Sequence, residues 1–376
     1  MAYWLLILVG RESMFGKVRT RWRELREAAL TKRRSVIVAA QLQSAEMRPG
    51  VWLVSSRGYA RHWSIRRLPV FLRQTKMRKR RNADVYERVA TFLNSVTSPF
   101  LWVPRGPGTY SVLMPTKGGT LLMSPERGRM LRVGGDPREL AITLDIRRQM
   151  SLFVMNPAFE MLEDGAKLRE QLVEGTHLGK LRPDARLKVW RFIVSEYAHL
   201  ARAHAKGRAV EVVEPALQFA QQLAGPTDLL DVLRRYGPEL VMWAGEQPMV
   251  PSHGDLSDGN IVVNPEGYPV CIDFEARCVG WLPFFHDPLL LSVREARRGR
   301  KAVLQRILHG EEAEALTGLW SATGAAVRPG ALMFALLCVA IVHVWRRNHQ
   351  EGPPDLRKAE RQLRAMWKPL SPFYAQ

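Results

Sequence analysis

Between Ser252 and Glu275 the chain reads SHGDLSDGNIVVNPEGYPVCIDFE, and three polar side chains in it are spaced for chemistry. A polar loop from His253 to Asn260 carries Asp255. Ile261–Val263 and Val270–Ile272 are short apolar runs around Asn264-Pro265-Glu266-Gly267, a composition that predicts a hairpin. Its fold-back brings Asn260 and Asp273 to one end, with Asp255 just before them. Two oxygen donors suit Mg²⁺, which takes hard ligands and commonly only one or two protein side chains beside phosphates. The remaining carboxylate, Asp255, is then placed to orient an attacking hydroxyl and accept its proton. That is the equipment of metal-assisted phosphoryl transfer.

The interval Asp255 to Asn260, followed by Asp273-Phe274-Glu275, resembles the H-R-D-x-x-x-x-N and D-F-G motifs of protein kinases. Here Gly254 stands for the Arg and Glu275 for the last Gly. Those differences, with Gly280-Trp281-Leu282-Pro283 and His286-Asp287-Pro288-Leu289 downstream, make the stretch similar to the aminoglycoside phosphotransferase and choline kinase family. The resemblance implies an α+β, two-lobed protein-kinase-like fold, with a small antiparallel-sheet lobe and a larger, mainly helical lobe. It implies ATP and Mg²⁺ as cofactors and transfer of the γ-phosphoryl group to a hydroxyl of a small molecule, sugar or glycolipid. Asp255 would be catalytic, and Asn260 and Asp273 would hold the metal. The rival reading is a non-catalytic kinase-like scaffold; the bland one is a solvated loop and hairpin.

Three elements must position the nucleotide. Thr109–Leu113, Thr120–Met123 and Arg129–Val133 read as strands, with Lys117-Gly118-Gly119 in the first turn, where glycine lets backbone N–H groups approach phosphate oxygens. The family's strand lysine corresponds to Arg132, which keeps the charge but has a different geometry. Pro137–Met150 reads as the next helix, with Asp145 or Gln149 as the partner of Arg132. Phe159–Leu162 and Lys167–Val173 form a hairpin ending at Glu174-Gly175, the expected hinge against adenine. The domains so drawn are 1–83, a basic N-terminal extension; 84–175, the nucleotide-binding lobe; and 176–376, the helical lobe with the acceptor pocket. In the last, helices are expected at Asp184–Ala205, Pro215–Leu223, Thr227–Trp243 and beyond Pro288.

The charge is concentrated at one end. Residues 1–83 hold twenty Lys/Arg against four Glu, a net +16 of the chain's +20. Ser35–Ala40 and Val51–Ser55 read there as strands, Asp84–Val96 just beyond as a helix, and Lys76–Arg81 as a basic cluster. With Trp4, Trp22, Trp52 and Trp63 interspersed, the segment is either a solvated extension or a foothold on an anionic membrane surface. No nucleic-acid-binding motif stands out, so nucleic acid is not an expected partner. Three cysteines are too few for a disulfide framework, which points to a reducing cytoplasm, with the inner membrane face as a peripheral site. Ala2–Val9 is too short to span a bilayer, and Ala331–Trp345 reads as a buried helix. Arg294, Arg297, Arg298, Arg300 and Lys301 form a basic stripe, either a solvated face or the flank of an anionic acceptor.

Overall fold

The structure is a computed structural model that describes residues 24, 27–28, 30–32, 34–40, 42–43, 45–55, 59–62, 64, 100–103, 107–116, 119–134, 137–151, 156–162, 167–274, 278–324, 330–349 and 354–374. The expectations for Lys76–Arg81, Asp84–Val96, Lys117, Gly118 and Glu275 lie outside these residues. The fold is α+β, in two compact units. The first takes the chain up to Asp136 together with Ala158–Leu172; the second takes Pro137–Pro157 and everything from Val173.

The first unit is built on an eight-stranded antiparallel sheet. Its strands are β1 (Gly50–Ser55), β2 (Tyr59–His62), β3 (Phe100–Val103), β4 (Val112–Thr116), β5 (Gly119–Ser124), β6 (Arg129–Val133), β7 (Phe159–Met161) and β8 (Lys167–Gln171). They lie side by side in the order β3-β1-β2-β4-β5-β6-β8-β7. Alternate residues Trp52, Val54, Leu113, Leu122 and Leu131 share one apolar core, as the two-residue period of a strand demands. Two sequence readings change here. The first 83 residues are not a unit of their own, because β1 and β2 are inner strands of the same sheet. Residues 34–40 are helical, not a strand. Val36, Ala39 and Ala40 are buried while Val38 is exposed, which is helical and not alternating periodicity.

The second unit is mainly helical. Its helices are Pro137–Met150, Pro183–His204, Val210–Gln222, Thr227–Ala244, His286–Arg297, Ala302–Leu308, Ala313–Ser321, Ala331–His349, Leu356–Trp367 and Ser371–Tyr374. Ala331–His349 is apolar on every face as far as Val342 because that part is the centre of the core: Ala335 to Val342 are each buried. Two small sheets hold the polar loop. β10 (Met249–Ser252) pairs with β13 (Gly280–Pro283), and β11 (Ile261–Val263) lies between β12 (Pro269–Cys271) and β9 (Thr176–His177). The sequence reading placed the helical lobe's start at 176; Pro137–Met150 packs with this unit as well.

Candidate active site

The hairpin predicted from sequence fixes the site. Ile261 pairs with Cys271, and the Ile272 N–H donates to the Asn260 carbonyl at 2.9 Å. Asn260 and Asp273 therefore stand at the same end of the ladder. Asn260 Nδ2 donates to the Asp255 carbonyl at 3.0 Å, closing the loop and leaving Oδ1 outside that bond. Asp273 has φ +63°, the only non-glycine with positive φ among the described residues. Such a left-handed carboxylate is strained by about 1–3 kcal/mol, and strain of this kind gathers at functional sites.

The loop is held from beneath by Asp287, which is fully buried. Its carboxylate accepts from the Tyr197 hydroxyl at 2.5 Å, the His253 N–H at 2.7 Å, the Gly254 N–H at 3.0 Å and His286 Nδ1 at 3.1 Å. Burial alone would push its pKa up; the hydrogen bond and charge of His286 lead the effects that hold it below the usual carboxylate value. His253 ties the loop to the end of the hairpin at Ile272. Its Nε2 donates to the Ile272 carbonyl at 2.9 Å, and its Nδ1 accepts from the Asp255 N–H at 3.3 Å. Gly254 explains the kinase motif's missing Arg: its φ is +70°, and a Cβ there would sit 1.9 Å from the Cys278 carbonyl oxygen.

Asp255 itself is 7% exposed and pairs with two guanidiniums. Arg294 Nη1 bonds both its carboxylate and its carbonyl, the latter at 3.0 Å, and Arg347 Nη1 reaches the same Oδ1 at 2.5 Å. Burial opposes ionisation, but Arg294 and its neighbours outweigh it and lower the pKa to about 2. His343, buried beside them, is held well below its ordinary pKa by desolvation and then by Arg294, so it is neutral. Of the basic stripe, Arg294, Arg298 and Arg300 are accordingly half-buried and paired, while Arg297 and Lys301 are exposed. Arg298 and Arg300 pair with Asp258, and Arg300 Nε also bonds buried Glu295 at 3.0 Å.

The other expected residues are placed separately. In the sheet unit Arg132 lies opposite Leu121 and Leu168, and its Nε is 3.7 Å from Glu170 on β8. Asp145 is bonded instead by Gln149 of its own helix at 2.9 Å. Gly119 has φ +138°, and a Cβ there would meet the Val133 carbonyl at 2.2 Å, so strand packing accounts for this glycine. Glu174 is exposed, just after the chain enters the helical unit. Gly175 beside it crosses β11 so closely that a Cβ would lie 2.1 Å from the Val263 carbonyl. The pairing of Arg294 and Arg347 with Asp255 escaped the sequence reading. A signal was present: Arg294 follows Leu290 and Leu291 by four and three residues, and Arg347 follows Val344 by three, so both extend buried faces.

Residues 162–323, which contain this loop and hairpin, match the family model described as the phosphotransferase enzyme family, APH. The resemblance read from the motif therefore holds by an independent comparison, and the matched segment is that of a phosphotransferase enzyme. A search of curated proteins finds no match. Among solved structures, a choline/ethanolamine kinase family protein of Mesorhizobium loti is 14% identical, covering 80% of this chain and 95% of its own, with a TM-score of 0.43. Aminoglycoside phosphotransferase APH(3'')-Id of Streptomyces rimosus is 17% identical over 61% of this chain and 92% of its own, TM-score 0.39. An ethanolamine kinase of Plasmodium vivax is 11% identical over 70% and 83%, TM-score 0.43.

Proposed function

We propose that the chain transfers the γ-phosphoryl group of ATP to a hydroxyl of a small molecule or sugar, including the sugar of a glycolipid. The observation that carries this is the closed unit of Asp255, Asn260 and the strained Asp273, inside the segment that matches the family. The donor set fits Mg²⁺: one amide oxygen and one carboxylate, with no cluster of three or more His, Cys, Asp or Glu among the described residues. When bound there, the ion neutralises phosphate oxygens and aligns them for attack.

Asp255 orients the acceptor. The hydroxyl oxygen forms the new bond to γ-phosphorus, the bond from γ-phosphorus to its bridging oxygen breaks onto ADP, and the hydroxyl proton passes to Asp255. A carboxylate with so low a pKa is a weak base, so its main contribution is position, which suits a loose transition state with little need for early proton removal. Arg132, Gly119 and Glu174 are the described residues proposed for the nucleotide, and Lys117 and Gly118 complete that set. The test is ADP formation with Mg·ATP across sugars, aminoglycosides, choline and lipid-linked saccharides. Activity on none of them, with no Mg²⁺-dependent nucleotide binding, would leave the scaffold reading in its place.

The concentration of +16 in residues 1–83 supports a second proposal, peripheral docking on an anionic membrane surface of the cytoplasm. Trp52 takes no part in it, since it is fully buried in the sheet core with Nε1 on the Arg48 carbonyl at 2.9 Å.

A further inference from the structure

Two guanidiniums face one carboxylate at the loop that orients the acceptor. Arg294 comes from His286–Arg297 and Arg347 from Ala331–His349, and both bond Asp255. Neither has another hydrogen-bond or ion-pair partner among the described residues, so Nε and Nη2 of each remain open donors. Their side chains are 14% and 26% exposed, within reach of a ligand from solvent. One carboxylate cannot neutralise two guanidiniums, and neutral His343 adds no charge, which leaves one positive charge in excess. Arg346, at the adjoining helical position, belongs instead with Val279 and the charge of Asp287, its Nη2 on the Val279 carbonyl at 3.0 Å. Gly280 makes room for it, since a Cβ there would lie 2.9 Å from that guanidinium. Such a lining repels a cationic acceptor, whereas open planar donors match a carboxylate or phosphate.

We infer that the acceptor carries an anionic group, phosphate or carboxylate, beside the hydroxyl to be phosphorylated, and that Arg294 and Arg347 bind that anion while Asp255 orients the hydroxyl. This rests on the phosphotransferase reading. The test uses the full-length chain with Mg·ATP and acceptor pairs differing by one anionic group: glycerol against glycerol 3-phosphate and glycerate, and glucose against glucose 6-phosphate, with choline as the cationic comparison. Binding of inorganic phosphate is titrated in parallel by calorimetry in saturating Mg·ADP. The anionic member should be favoured in kcat/KM by about tenfold or more, the discrimination expected of one charge-assisted contact. Arg294→Gln and Arg347→Gln should bring that ratio towards one. Arg347→Lys should keep part of it, having the charge without the fork. Phosphate binding should weaken about tenfold in the double Gln variant. Preference for the neutral member or for choline, or equal phosphate binding by wild type and double variant, overturns the inference. Where no pair is turned over, the phosphate titration decides alone. Asp273→Ala tests the underlying reading separately: unchanged Mg²⁺-dependent nucleotide binding in that variant defeats it whatever the arginine variants show.

Discussion

Asp287→Asn is the perturbation whose size the structure defines best. The wild-type carboxylate accepts from four donors: Tyr197 Oη, the His253 and Gly254 amides, and His286 Nδ1. Asparagine keeps one accepting oxygen and turns an NH₂ towards the others, so at least two donors face a donor in a fully buried place. Hydrogen bonds to a charged group contribute about 1.5–3 kcal/mol each. The expected loss is therefore about 3–5 kcal/mol, the range for breaking a buried charged network, against a typical total of about 5–15. Urea unfolding followed by tryptophan fluorescence reads the loss. Amide hydrogen exchange at His253 and Gly254 localises it, and protection there should fall first. The pH dependence has a sign. Because the folded carboxyl is held below its usual value, its contribution is present above the unfolded pKa of about 3.9 and is lost as pH falls through the folded one. The gap between wild type and variant should be full at pH 6 and shrink below about pH 4. A loss under about 1 kcal/mol, or unchanged exchange at the two amides, refutes the claim that Asp287 holds the loop.

Further expectations follow from single residues. Asp273→Gly should raise thermal stability, by about 1 kcal/mol from relief of φ +63°, while abolishing Mg²⁺-dependent nucleotide binding; equal or lower stability would show that the backbone there is not strained. Gly254→Ala should lose about 3 kcal/mol or more in urea titration, since its Cβ would meet backbone at 1.9 Å, and normal stability would contradict the loop geometry. Neutralising Lys76, Arg78, Lys79, Arg80 and Arg81 to Gln in the full-length chain should weaken co-sedimentation with anionic vesicles, by about 1 kcal/mol per contact made, and high salt should abolish it in the wild type. Deleting residues 1–83 is not the way to ask this, because β1 and β2 would be lost from inside the sheet. Equal binding by wild type and the Gln variant would remove that cluster from the surface proposal.

The geometry of the candidate site was legible where it is local. Asp255, Asn260 and the turn to Asp273 lie within nineteen residues, and loop length and turn residues alone bring them to one end. The helices after Pro288 were legible for the same reason, since each carries its own 3.6-residue pattern. What the sequence withheld is non-local. Arg294 and Arg347 lie 39 and 92 residues from Asp255; their spacing says that they face inward, but not what they meet. Glu170 beside Arg132 depends on β6 pairing with β8, with a helix and β7 between them in sequence. The inner position of β1 and β2 was hidden by the order β3-β1-β2-β4, in which chain neighbours are not always sheet neighbours, and by the surrounding basic charge. At Gly254 the sequence showed the departure from the kinase motif; the carbonyl of Cys278, beyond the hairpin, supplies the reason.

Transfer of labelled γ-phosphoryl from Mg·ATP to the acceptor panel, by wild type and Asp255→Asn in parallel, tests the central claim most directly. The proposed chemistry requires label on a hydroxyl-bearing acceptor with wild type. In the variant it requires a fall of about 10³-fold or more, with nucleotide affinity changed by less than about threefold, because the proposal sets Asp255 at the acceptor and not at the nucleotide. Equal transfer by the two proteins, or transfer that persists without Mg²⁺, would contradict it.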